Sequence, residues 1–454
     1  MSERLVVIGG DAGGMSASAQ ARRLRPRDEL EIVVFERGAF TSFAACGLPY
    51  LVGGEVAGPD ELVARSPEEF RRSGVDVRTD HEVVSIDTDA RTVEVRGPGS
   101  GGTTVEPYDE LLIATGAVPV RPPFPGIDAR GVFDLRTIPD GVAVDAAVRD
   151  ARRAVVVGAG YIGLEVAEAF RLRGLQVTVI ELADQPMVTL DPDMAAAVTE
   201  ALDRLGVELR LGEGVQSFEV GDDGSVRGVV TSAGTVPADI VVVGLGARPN
   251  SSLAAAAGVP IGPSGGIVVD RRMRSRVDHV WAAGDCVESF HRVSRQPVNI
   301  ALGTHANKQG RAAGTNLGGG YASFGGVLGT AITRVGDLEV ARTGLNEREA
   351  AAAGFEFVTA TNTAPSRAHY YPDGSDVTVK LVAERRTGRL LGGQIVGGAG
   401  AGKRIDVVAT ALWNDMTVEE LGGIDLAYAP PFSPVWDPVL LAAGRAAGAV
   451  TTAG

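Results

Sequence analysis

The stretch AVVVGAGYIGLEVAEAFRLRGLQVTVIE, residues 154–181, decides the fold. A run of β-branched residues stops at a glycine-rich turn, a helix of small and apolar residues follows, and a second apolar strand ends in an acid. Gly158, Gly160 and Gly163 keep the G-x-G-x-x-G spacing. The first glycine of that pattern permits a tight turn, the second lets the backbone approach a pyrophosphate, and the third lets the helix pack on the strand. The helix N-terminus then faces the phosphates. Glu181 stands where an acid accepts hydrogen bonds from an adenosine ribose, and Leu182, Ala183, Asp184 and Gln185 offer no cation for a 2′-phosphate. This unit is expected to bind NADH, with NADPH as the alternative.

Working outward, a near-repeat opens the chain: RLVVIGGDAGGMSASAQARRL, residues 4–24, keeps Gly9, Gly13 and Gly14 but carries Asp11 at the place of the middle glycine. Alone, such a turn is as readily an ordinary strand-to-helix connection. Its context makes it more. The strand Glu31 to Phe35 ends in Glu36 at a ribose-binding position, and the phrases LLIATGAVP (111–119) and VWAAGDCV (280–287) come later. Together they point to FAD as the second dinucleotide.

At 454 residues the chain is long enough for about three domains. The boundaries are expected at 1–115 (FAD, first part), 116–245 (NAD(P)H), 246–328 (FAD, second part) and 329–454 (C-terminal). The last region switches to alternating strand patterns and an apolar helix from about Ile405 to Leu421, an α+β reading. The fold class is therefore α/β, with two three-layer Rossmann-like domains and a C-terminal α+β domain. A net charge of −14 argues against a nucleic-acid surface. No apolar segment is long enough to span a bilayer, and no secretory leader precedes the first strand. Two cysteines in such a length form no disulfide framework, so a reducing, cytoplasmic setting is expected. The five histidines show no ligand spacing, and no metal site is expected.

These phrases resemble the pyridine nucleotide-disulfide oxidoreductase superfamily over nearly the whole chain. SFAACGLPYLVGG (42–54) offers Cys46 alone, with Leu51 where the dithiol branch has its second cysteine, so the resemblance narrows to the single-cysteine branch of NADH peroxidase, NADH oxidase and coenzyme A-disulfide reductase. Peroxidases of the branch carry a histidine in the first glycine loop, where this chain has Ala12. A positioned acid-base histidine is worth roughly 100- to 10,000-fold in rate, so its absence weighs against peroxide reduction. The phrases GGMSASAQARRL (13–24), HYYPDG (369–374) and DLAYAPPFSPVWDPV (425–439) are similar to coenzyme A-disulfide reductase. Ala45 departs from the asparagine often found before the family's cysteine.

The resemblance implies a homodimer with small-molecule substrates: an NAD(P)H-dependent flavoprotein in which hydride passes to FAD and electrons pass to Cys46, cycling through a Cys46-S-S-CoA mixed disulfide. It implies that Tyr428 and one of Tyr370 and Tyr371 act beside the partner's cysteine. Arg37, Ser42, Val83, Thr115, Gly116, Gly246 and Asp285 join the glycine loops as FAD or NAD(P)H contacts, Asp285 at the ribityl chain. Tyr161, with Ile162 beside it, is expected to cover the nicotinamide site, and Glu165 to lie at the flavin edge. Arg22, Arg23, Arg71 and Arg72 are candidate clamps for the phosphates of CoA, with Arg22 and Arg71 favoured, and Ser42 is expected to contact the substrate. A nucleophilic cysteine needs a lowered pKa, expected here from a helix N-terminus, the flavin or Ser42. Cys286 reads as structural packing. The rival readings are an NADH oxidase or peroxidase using a Cys46 sulfenic acid, a polysulfide or persulfide reductase, a ferredoxin reductase, and a non-enzymatic flavin redox sensor.

Overall fold

The computed structural model describes residues 2–99 and 102–453. Two five-stranded parallel sheets carry the glycine loops. The first runs in the order Val280–Ala282, Glu110–Ile113, Glu3–Ile8, Leu30–Phe35 and Asp76–Arg78. In the second the order is Val207–Arg210, Gln176–Ile180, Arg153–Val157, Ile240–Val243 and Val132–Phe133. Their central strands read as unbroken apolar runs because helices and loops cover both faces, as parallel sheets require. Each has a three-stranded antiparallel sheet attached, Glu82 to Pro107 on the first and Val215 to Pro237 on the second.

The helix Ala12–Leu24 crosses the helix Gly303–Leu317 at close range, and glycine makes that possible. A Cβ on Gly310 would lie 2.3 Å from the Gly13 carbonyl oxygen, and one on Gly314 would lie 2.2 Å from that of Ala17. This contact ties residues before the C-terminal region back onto the first loop, and Asp285 comes with them.

The C-terminal region is a five-stranded antiparallel sheet, ordered Ala331–Val335, Leu338–Gly344, Leu390–Gly397, Asp376–Glu384 and Phe357–Pro365. Helices Ile405–Trp413 and Pro438–Ala453 pack against it. The helix expected from Ile405 to Leu421 is broken: it ends at Trp413, Asp415 takes a left-handed φ of +53°, and Thr417 with Glu420 forms a capping box that starts Val418–Gly422. A buried lysine, Lys380, joins this sheet to the second nucleotide-binding unit through Asp191 at 3.2 Å and Asp193 at 2.7 Å. Buried charge is tolerated there because it is paired. No helix among the described residues is long and apolar enough to cross a membrane.

Candidate active site

The two glycine loops repeat one another at their first and last glycines. Gly9 and Gly158 turn through φ of +108° and +103°, and a Cβ on them would strike the carbonyl oxygens of Ala114 at 2.2 Å and Gly244 at 2.5 Å. Gly14 and Gly163 would each drive a Cβ to 2.0 Å from the carbonyl oxygen of the loop's first glycine. Glu36 accepts from the N–H groups of Gly10 and Gly38, both at 2.7 Å, and Glu181 accepts from those of Ala159 at 2.8 Å and Ala183 at 2.9 Å. Each carboxylate is thus aimed by backbone donors while its remaining lone pairs stay available to ribose hydroxyls. At Gly160 a Cβ would meet nothing within 4 Å, so the loop opens there onto free space. Such cradles fit two dinucleotides.

Between the two units, Ala117–Pro119 pairs with Ala247–Pro249, and this crossing fixes three of the expected contacts. Thr115 donates its hydroxyl to the Asn250 carbonyl at 2.6 Å; Gly116 and Gly246 take φ of +70° and +87°. Val83 is core, so its side chain is turned inward and only its backbone can meet a ligand. Arg37 and Ile162 are exposed.

Cys46 sits in a single 3-10 turn, Ala45–Gly47, that runs directly into the helix Leu48–Gly53. That helix packs on Tyr161–Leu172, the helix after the second glycine loop. Four residues upstream, Ser42 is held at φ +46°, its N–H donating to the Gly10 carbonyl and its own carbonyl accepting from Ala64. A non-glycine residue in the left-handed region is strained, and the first glycine loop is what holds it there. Cys46 is solvent-exposed, whereas Cys286 is fully buried with its thiol pushed up to about 11 by burial.

The electrostatics around Cys46 differ from expectation. Although the residue reaches solvent, the protein packed round its sulfur, then the carboxylate of Glu165, push its thiol above the ordinary value, with Asp285 adding to them; Arg136 and the Cys46 N–H act the other way. Protein groups therefore do not by themselves hold a thiolate. Arg136 is the residue that sequence reasoning missed. Its guanidinium bridges to Asp285 at 3.3 Å, so the fields of Glu165, Asp285 and Arg136 meet at Cys46. The phrase LRTIP around it reads only as a helix start, and indeed Thr137 caps Ile138–Val148.

Glu165 accepts from Thr333 at 2.9 Å and has its carboxyl raised, chiefly by burial. It lines a small cavity with Tyr50, Glu55, Glu168 and Arg334. Tyr161 is pressed against the core; its buried hydroxyl faces Thr189, and neither group makes a hydrogen bond of good geometry. Neutralising Glu165 as Glu165→Gln removes a charge that opposes the thiolate. The pH midpoint for alkylation of Cys46 is then expected to fall and alkylation at neutral pH to quicken; an unchanged or raised midpoint would show that Glu165 does not act on the thiol.

The two expected phosphate clamps are engaged to different degrees. Arg22 spends its guanidinium on the carbonyls of Gly74, Arg25 and Leu30 at 3.1, 3.1 and 2.6 Å, closing off its own helix end. Each of its three nitrogens is thereby tied to a backbone carbonyl. Its neighbour Arg23 is exposed and touches only Gln20 at 3.3 Å, on the helix face shared with Ser16. Arg71 is half committed, to the Val77 carbonyl at 2.8 Å and to Glu68 at 3.0 Å. In the C-terminal region Tyr428 lies close enough to Tyr370 to raise the Tyr370 phenol. Tyr371 lies near the Arg367 guanidinium at 5.9 Å.

Two dinucleotide cradles flanking one exposed thiol define a flavin- and pyridine-nucleotide-dependent oxidoreductase. Comparison with known proteins gives the family. Residues 3–310 match the pyridine nucleotide-disulphide oxidoreductase model, and residues 330–438 match that family's dimerisation domain. The chain belongs to this family, whose members bind FAD and NAD(P)H. It is 39% identical over 447 residues, 98% of each chain, to the NAD(P)H coenzyme A polysulfide/persulfide reductase of Pyrococcus horikoshii. Identity to the coenzyme A disulfide reductase of Staphylococcus aureus is 31% over 434 residues, covering 95% of this chain and 96% of that one. The solved structure of reduced Bacillus anthracis CoADR-RHD superimposes with a TM-score of 0.95 at 36% identity, over all of this chain and 81% of the other.

Proposed function

We propose that this protein is an NADH-preferring coenzyme A-disulfide reductase that works as a homodimer. The observation that carries the reading is the placement of Cys46: an exposed thiol between the two nucleotide cradles, with the chain's other cysteine sealed in the core. FAD, when bound, supplies the two-electron relay between the nicotinamide and the disulfide. Arg136 is the cation that favours the Cys46 thiolate. That thiolate attacks CoA disulfide, forming Cys46-S-S-CoA and releasing one CoA thiolate. Two electrons then break the mixed disulfide, restoring the Cys46 thiolate and releasing the second CoA. Each departing thiolate takes one proton, which Tyr370 with Tyr428 gives from the partner subunit. Exposed Phe432, Val435 and Trp436 beside Tyr428 support the dimer, since a cluster of that size on a monomer calls for a cover. Arg23 takes over the phosphate contact first expected of Arg22. Glu181, with no cation near it in sequence, favours NADH by accepting from the ribose hydroxyls.

A second reading, a CoA-dependent polysulfide or persulfide reductase, is favoured by the 39%-identical relative. It uses the same thiol on a different sulfur–sulfur bond. Anaerobic stopped-flow separates the readings: enzyme reduced by NADH is mixed with CoA disulfide, with CoA persulfide, or with oxygen. Fast flavin reoxidation by CoA disulfide, matched by release of two thiols, is the expected result. Rapid oxidation by oxygen with CoA disulfide inert would replace the proposal by an NADH oxidase.

A further inference from the structure

Asp11 occupies the one position of the first glycine loop where the second loop has open space. Its counterpart there is Gly160, through which the backbone approaches a pyrophosphate. Here a carboxylate fills that space. It precedes Ala12–Leu24 at φ −109° without a side-chain capping hydrogen bond, and the Ala12 N–H is the backbone donor that favours its ionised form.

What surrounds Asp11 locates it along the cofactor. Arg136, Glu36 and Asp285 are the charged groups whose fields reach it, from the segment before Ile138–Val148, the end of Leu30–Phe35 and the turn after Val280–Ala282. Glu36 marks the adenosine ribose and Asp285 the ribityl chain. In FAD the pyrophosphate is what joins those two parts, and Asp11 lies within reach of both markers.

A carboxylate beside a diphosphate sets like charges together in a half-buried groove. The diphosphate is the stronger acid and stays ionised, so the aspartate must yield. We propose that Asp11 is a cofactor-binding residue that carries a proton whenever FAD is bound, donating a hydrogen bond to a phosphate oxygen, so that the protein takes up one proton as it binds FAD. The inference rests on the family's use of FAD and not on the identity of the electron acceptor.

Burial already pushes the Asp11 carboxyl up to about 6 before any phosphate is present, against the opposing pull of Arg136. A neighbouring diphosphate raises it further. Below about pH 6 the group is protonated in both states, and affinity does not depend on it. Above that value FAD-free protein loses the proton and the complex keeps it. The dissociation constant then climbs by about tenfold per pH unit until the complex itself titrates.

Holoenzyme diluted to nanomolar concentration at a series of pH values, with released FAD read by its fluorescence, tests this directly. Wild type is expected to release FAD more readily as pH rises, whereas Asp11→Asn, which keeps the hydrogen-bond donor and removes the titration, is expected to show a flatter profile. At the alkaline end Asp11→Asn should hold FAD about tenfold more tightly or better than wild type. Asp11→Ser gives a second variant without the acid and should flatten the profile too. Parallel profiles for wild type and either variant, or loss of FAD from both variants at every pH, would overturn the proposal. Wild type that purifies without FAD at any pH would instead break the assignment of the cofactor.

Discussion

Replacing Cys46 by serine is expected to lower NADH-dependent reduction of CoA disulfide by about 1,000-fold or more, the scale seen when an enzyme loses its nucleophile, while NADH still bleaches the flavin. The separation follows from geometry. In the proposed function Tyr161, Gly158, Gly160 and Glu181 serve the nicotinamide nucleotide and need no contact with the sulfur. No second thiol can stand in: Cys286 is fully buried, its sulfur donates to the carbonyls of Ile113 at 3.5 Å and Ala283 at 3.4 Å, and burial lifts its pKa to about 11. Anaerobic stopped-flow on the variant reads both halves. Retained CoA-disulfide turnover would remove Cys46 from the reaction, and loss of flavin reduction as well would mean that the serine had disturbed the nucleotide site.

The parts of this molecule that were legible in the sequence are those in which one residue type is physically compelled. Gly9, Gly14, Gly158 and Gly163 are compelled because a Cβ would overlap a carbonyl oxygen, so spacing alone revealed both cradles. Cys46 stood out through its surrounding phrase. What escaped depends on direction, which spacing does not carry. Arg22 and Arg23 are adjacent in sequence but about 100° apart around a helix; one turns to cap carbonyls and the other to solvent. Arg136 joins Asp285 across 149 residues, and no local pattern records that meeting. The break at Asn414 and Asp415 was hidden because the apolar period runs on through it, although the capping box at Thr417 and Glu420 was present to be read. The strand Phe357–Pro365, rich in threonine and alanine and ending in proline, shows only a weak alternation until its partner Asp376–Glu384 is known.

Two alanine substitutions in the second loop are expected to separate the architecture of a nucleotide cradle from its contact with the nucleotide. At Gly163 the new methyl would lie 2.0 Å from the Gly158 carbonyl oxygen, with Val156 close behind at 3.4 Å. Backbone cannot yield there cheaply, and overpacking of this kind costs roughly 1–3 kcal/mol. Gly163→Ala is therefore expected to lower the thermal stability of the protein and to raise the KM for NADH about tenfold or more, a loss on the order of 1.4 kcal/mol or greater. At Gly160 the methyl meets nothing within 4 Å. The protein alone does not feel it, so stability should stay at the wild-type value. NADH does feel it, because that space is the one its pyrophosphate enters, and KM is expected to rise to a similar degree with FAD content unchanged. Thermal melts and NADH titrations of both variants decide the matter. If Gly160→Ala melts early, the loop is filled by protein and not by nucleotide; if it binds NADH as the wild type does, the pyrophosphate passes elsewhere.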